Sequence, residues 1–216
     1  LTSYAEQLSQ IESIGLGPLL GCAEAVRTAF SDERKKHSWC GTLIKAAADW
    51  RRIGLGPASR EQLTSLSLAY EDETWGTVDW DDTWKQATKF INHTVPLLRQ
   101  VGDDRWEVLD TIADEANWAV SSHTLSSLKN ITLSGQQALR AAATMFLCEA
   151  PSLPTNDMFK LAIEANPNNA IALGAYALFL KNVRGDADQA QDMYQRAINA
   201  DPVNANNLGN YASFLE

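Results

Sequence analysis

The stretch Tyr70–Trp84, YEDETWGTVDWDDTW, gathers six carboxylates and three tryptophans into fifteen residues. Paired carboxylates can hold Mg²⁺ through hard oxygen ligands, or exchange protons with a substrate. A metal-dependent isoprenoid or phosphate enzyme would carry such a cluster on a helix facing a cavity. Here the acids surround Gly76 and the segment reads as a loop. Asp79, Asp81 and Asp82 fall where a helix through Trp84 begins, and negative charge there complements the helix dipole. Trp75, Trp80 and Trp84 can pin the loop to a core. Capping and packing account for the segment, with a protein-contact loop as the alternative, and no metal ligand is assigned.

His37 and Cys40 in HSWCG are three residues apart and could touch on one helix face. Nothing in the sequence supplies a third group to orient them, so a buried thiol is expected. His37, His93 and His123 lack metal-ligand spacing. GxSxG, P-loop and dinucleotide fingerprints are absent from the sequence. No catalytic residue and no cofactor is assigned, and the chain is not expected to be an enzyme.

The totals bound the remaining classes. With 45% hydrophobic and 21% charged residues in 216, the chain has the balance of a globular protein. Its longest apolar runs fall short of the ~18 residues that a membrane span needs. A net charge of −9 argues against nucleic acid, where affinity comes from lysine and arginine neutralising phosphates. Basic residues concentrate between Arg34 and Arg60, as a solvated helix face or as a surface for an acidic partner. Cys22, Cys40 and Cys148 form no CxxC pair. They suit reduced thiols in an intracellular setting, the cytoplasm or an organelle interior, and not a secreted protein. On that reading the sequons at Asn92 and Asn130 are coincidental. The first residue is Leu and no signal peptide is visible, so either a leader has been removed or the sequence is a piece of something longer.

Residues 1–150 read as a helical region of unassigned family. Trp84, Ala87, Phe90, Ile91 and Leu98 form one helical stripe; Trp106, Leu109, Ile112, Ala113, Ala116 and Val120 form another. No alternating strand run stands out. EAPSLPTND, Glu149–Asp157, carries two prolines and is the best boundary, leaving 151–216 as a second region.

That second region repeats itself. Aligned at an offset of 35, Met158–Leu180 and Met193–Leu215 agree at 13 of 23 positions. Two helices of about 13 residues with two short turns fill that length. Asn169 and Asn204 are placed to cap helices after Pro167 and Pro202. Gly185 can end a helix with positive φ, and Asp186 can begin the next. This assigns the RGD tripeptide, Arg184–Asp186, to a turn.

These residues resemble the tetratricopeptide repeat (TPR): its bulky, small, A…Y/F…A…P pattern falls on Leu173, Ala177, Ala190, Tyr194, Ala197 and Pro202. The period is one longer than the usual ~34, the bulky position is Leu in place of Trp, and the likeness covers about residues 155–216. It implies an all-α helix–turn–helix array, a TPR-like α-solenoid, preceded by a helical domain or divergent repeats. It also implies a groove lined by first helices, which puts Ile171, Gly174, Leu178, Lys181, Asn182, Asn206, Gly209, Asn210 and Ser213 on or near it. The expected function is a non-catalytic scaffold or assembly subunit holding a protein partner. The alternatives are an enzymatic or effector domain in 1–154 governed by the TPR segment, and a structural subunit of a large organellar complex. Leu208, Tyr211, Ala212 and Leu215 stand on a helix with no second helix after it. The chain is therefore expected to continue past Glu216, or to be covered there by another chain.

Overall fold

The computed structural model of the protein describes residues 16–73, 76–91, 95–113, 119–149 and 152–216. It is mostly helical with little sheet. Among the described residues, no helix is long and apolar enough to cross a membrane. The chain forms two compact units, one from Leu1–Arg52 and Pro57–Ala119, the other from Ile53–Gly56 and Val120–Glu216. The double-proline stretch near residue 150 lies inside the second unit.

The first unit is built around α2 (Trp39–Arg52), whose residues Cys40 to Trp50 are all buried. Such a helix must be covered on every side, and α1 (Leu16–Lys35), α3 (Arg60–Ser67), a 3₁₀ turn (Leu68–Glu73) and α4 (Trp80–Ala87) all pack on it. The start of α3 is fixed by a capping box: the Ser59 side chain accepts from the Gln62 backbone N–H, and the Gln62 side chain accepts from the Ser59 N–H. Asp79 caps α4, accepting from the N–H groups of Asp81 and Asp82. Asp79, Asp81 and Asp82 are thus a helix start, as their spacing predicts, whereas Glu71 to Glu73, read as loop, belong to the 3₁₀ turn.

Beyond α4 the helical expectation fails. Phe90 and Ile91 form β1 (Phe90–Ile91), paired antiparallel with β2 (Val95–Pro96). Leu98 opens β3 (Leu98–Gly102) and Trp106 lies on β4 (Arg105–Val108), a second hairpin that turns through Asp103 and Asp104. Only Leu98 and Val108, opposite each other at its open end, are fully buried. A strand pair with so few inward side chains gives almost no alternating signal. Its register is held by Arg99, whose Nε donates to Glu107 Oε1 at 2.8 Å across the ladder. Ile112 and Ala113 are helical and buried as expected, on the short α5 (Asp110–Ala113); Ala116 lies outside the described residues.

The second unit contains α6 (Ser122–Ser127), a 3₁₀ turn (Leu128–Asn130), α7 (Gly135–Leu147), α8 (Ser152–Ala165), α9 (Ala170–Phe179), a π turn (Leu180–Arg184), α10 (Ala187–Ala200) and α11 (Ala205–Leu215). α7 packs along α8, α9 packs along α10, and α11 lies against both α9 and α10. Pro154 does not break the chain here. It sits in the first turn of α8, where the missing N–H has no intrahelical acceptor to satisfy. Asn169 caps α9 and Asn204 caps α11. Gly185 takes φ 65° after the π turn, and Asp186 caps α10 by accepting from the Gln189 N–H. A π turn holds one more residue than an α turn. It lies in the segment where the 35-residue spacing needs its extra length.

Candidate partner-binding face

The two copies of the repeated phrase build the same aromatic cluster. Phe159 meets Tyr176 at 5.5 Å between ring centroids and Phe179 at 5.5 Å, and Tyr176 stacks on Phe179 at 6.2 Å. Thirty-five residues on, Tyr194 meets Tyr211 at 5.6 Å and Phe214 at 5.6 Å, and Tyr211 stacks on Phe214 at 6.1 Å. These trios set the orientation of α9 on α8 and of α11 on α10, and so place the residues between.

The copies differ in one buried atom. The Tyr176 hydroxyl donates to Asn156 Oδ1 at 2.9 Å. The Tyr194 hydroxyl is buried without a partner, and burial raises its pKa. Its counterpart Phe159 fills the same place without a hydroxyl. Tyr194→Phe is therefore expected to leave stability unchanged or raise it by about 1 kcal/mol, since a buried orphan donor is removed at constant shape. Thermal unfolding of the two proteins checks this; a loss of stability would mean that the hydroxyl has a partner.

Of the nine residues expected along the groove, Ile171 is 65% exposed, and Asn182, Asn206, Gly209 and Ser213 are also exposed. Leu178, Lys181 and Asn210 are half-buried. Lys181 and Ser213 are brought together: Lys181 Nζ donates to the Ser213 carbonyl at 2.9 Å and lies 5.7 Å from the Phe214 ring. Gly174 is different. It is buried under Asn207, whose Nδ2 donates to the Ala170 carbonyl at 2.9 Å, and a Cβ at Gly174 would overlap the Asn207 amide. Gly174 is thus a helix-contact residue unavailable to a partner. The sequence signal for Asn207 was its mismatch: it stands where the first copy has Ala172, one of four differences between residues 169–180 and 204–215.

The residues with possible chemistry in the first unit serve packing. Trp84 donates through Nε1 to Thr64 Oγ1 at 3.2 Å, and its ring meets Trp106 at 5.1 Å with Arg60 above it at 5.2 Å. Trp39 packs edge-on against Trp80 at 5.5 Å; Trp75 lies outside the described residues. Cys40 is a buried thiol whose pKa is pushed up to about 12, by burial first and then by the charge of Glu33. It is protonated near neutrality, which removes the nucleophile a His37–Cys40 pair would need. His123 is exposed on α6, and His93 lies outside the described residues.

The locally basic stretch is answered by carboxylates. Lys36 pairs with Glu33 at 2.7 Å, Arg52 with Asp49 at 3.0 Å and Arg60 with Asp81 at 2.9 Å, and Arg51 pairs with Asp110. This makes the stretch an ion-paired face, and the exposed pairs on it carry little energy. Asp49 is the exception. It is fully buried and accepts from Tyr70 Oη at 2.5 Å as well as from Arg52, with Lys45 only 8% exposed and 4.6 Å from the Tyr70 ring. Sequence reading missed this cluster, because one acid inside an alanine-rich helix has no periodic signature. Among the described residues, no three His, Cys, Asp or Glu side chains are grouped to hold a metal ion. No family model, curated protein or solved structure matches the chain.

Proposed function

We propose that the protein is a non-catalytic interaction scaffold whose second unit is a short TPR-like array holding a protein partner. The observation that carries this is the distribution of exposed apolar side chains. Of the ten large ones among the described residues, seven belong to the second unit: Leu147, Leu153, Ile171, Val183, Val203, Leu208 and Leu215. The concentration of apolar exposure in one unit supports reading that unit as the one a partner covers. Ile171 and Leu178, with the amides of Asn182, Asn206 and Asn210, give a mixed apolar and amide face suited to a peptide or helix. Lys181 is tied to Ser213 and is the sole lysine or arginine of the expected set, which disfavours capture of a carboxylate terminus.

The test is affinity capture from the native source with the wild-type chain and with Ile171→Asp, followed by mass spectrometry. A partner held by the wild type and lost from the variant, with an unchanged circular dichroism spectrum, supports the proposal. Recovery of the same proteins by both would remove Ile171 from the binding face. Substrate turnover by the isolated chain, with no partner recovered, would overturn the scaffold function itself.

A further inference from the structure

Two basic residues of the Arg34–Arg60 stretch meet in one cleft of the first unit. The cleft has a volume of about 310 Å³ and lies where α1 turns into α2. Arg34 lines it from the last turn of α1, His37 from the turn itself, Thr42 and Lys45 from α2, and Asp72 from the 3₁₀ turn. Gly41 makes the convergence possible. A Cβ there would stand 2.9 Å from the Glu33 backbone, so the missing side chain lets α1 approach α2 this closely. Lys45 is held in the wall, 8% exposed and 4.6 Å from the Tyr70 ring, a degree of burial unusual for lysine. His37 takes φ 50° where α1 ends, with its N–H on the Arg34 carbonyl and the Ser38 N–H on that of Glu33. Glycine is the usual residue at such a helix end, because a Cβ is strained there. An imidazole in its place carries a cost and puts a titratable ring beside the cleft.

The surrounding carboxylates leave the cleft with an excess of positive charge. Both Glu33 oxygens are engaged, by Lys36 at 2.7 Å and by Ser38 at 2.6 Å. Both Asp49 oxygens are engaged, by Arg52 and by Tyr70. Asp72 is the sole acid among the described lining residues, and it is exposed. Ser38 caps α2, accepting from the Gly41 N–H at 3.1 Å, so the positive end of that helix dipole also faces this region. Positive charge gathers here in a chain whose net charge is −9. An anion would thus be drawn by this cleft and repelled by the molecule as a whole.

We propose that the cleft binds a small phosphate-bearing ligand, with Lys45 in its wall and Arg34 and His37 at its edge as the recognising groups. The site is separate from the scaffold function and goes beyond it. Arginine offers a planar fork of N–H donors and lysine a compact charge, a combination that suits the several oxygens of a phosphate better than the two of a carboxylate. The volume is at the lower end for ligand pockets, which admits a phosphate with a body the size of a sugar.

The test is calorimetric titration of the full chain with inorganic phosphate, with ribose 5-phosphate and with ribose. One-to-one binding of a phosphate probe with a Kd below about 1 mM is expected, and none of ribose. Equal affinity for the two phosphate probes would assign the site to free phosphate, and tighter binding of the sugar phosphate would assign it to a phosphomonoester; both support the proposal. Lys45→Met keeps the unbranched apolar stem and should weaken binding by about tenfold or more, as loss of a charge-assisted hydrogen bond does. Arg34→Gln, at an exposed position where folding is not at stake, should do the same. Lys35→Gln removes a neighbouring cation that pairs with Asp32 outside the cleft, and should leave binding unchanged. Absence of saturable phosphate binding overturns the proposal, as does ribose binding as tightly as its phosphate. Equal losses in Lys35→Gln and Arg34→Gln would show diffuse attraction to a basic surface and overturn it too.

Discussion

Asp49→Ala is expected to destabilise the first unit by about 1.5–3 kcal/mol, the range for hydrogen bonds to a charged group. The Asp49 carboxylate is wholly buried, with Arg52 Nη1 on one oxygen and the Tyr70 hydroxyl on the other. Alanine would leave the Tyr70 hydroxyl without this acceptor at a buried position and take one counter-charge from the Arg52 guanidinium. It would also unpin the 3₁₀ turn that Tyr70 belongs to, which packs on α2. Asp49→Asn keeps the shape and an acceptor for Tyr70 but removes the charge, so its cost should be smaller, about 0.5–1.5 kcal/mol. No tryptophan occurs in the residues of the second unit. A denaturant titration followed by tryptophan fluorescence therefore reports this unit directly. A midpoint unchanged in Asp49→Ala would show that the carboxylate is not the organising group of α2.

How much of this was legible in the sequence depends on the range of the interaction that fixes each feature. Caps are local, and their residues announce them. Asp79, Asn169, Asp186 and Asn204 accept from backbone N–H groups two or three residues on, and Gly185 takes the positive φ that its place in the turn asks for. The hairpin of β3 and β4 is not local in that sense. Its two buried ends, Leu98 and Val108, are ten residues apart and pair across a ladder, so a search for one periodic face connected Trp84 through Leu98 as a helix. Pro154 misled for a different reason: proline ends a helix only when it falls beyond the first turn. Of the residues that the TPR resemblance puts on the candidate face, Ile171 and Ser213 are exposed and Gly174 is buried. Whether a glycine faces a groove or a neighbouring helix depends on which side chain lies opposite, and Asn207 is 33 residues further along the chain.

That opposition leads to the second large effect. Gly174→Ala is expected to destabilise the second unit, whereas the same substitution at the sister position, Gly209→Ala, is expected to stabilise it. At Gly174 the new methyl would overlap the Asn207 amide oxygen and lie 2.8 Å from its Cγ. Asn207 is only 5% exposed and is held by its bond to the Ala170 carbonyl, so it has little freedom to turn aside. Overpacking of this kind costs roughly 1–3 kcal/mol, and loss of the asparagine hydrogen bond adds about 1 kcal/mol. At Gly209 no atom opposes the methyl, and only the helix preference of alanine remains, about 0.5–1 kcal/mol in favour of the variant. Thermal melts followed by far-ultraviolet circular dichroism should move in opposite directions for the two proteins. The cause can then be isolated. Asn207→Ala removes the obstructing side chain and restores at that position the residue that stands at 172 in the first copy. In the Gly174→Ala background it should therefore cost less than it does in the wild type, giving a favourable coupling between the two sites. Purely additive effects would mean that the methyl at 174 is accommodated by movement of the backbone and not by displacement of Asn207.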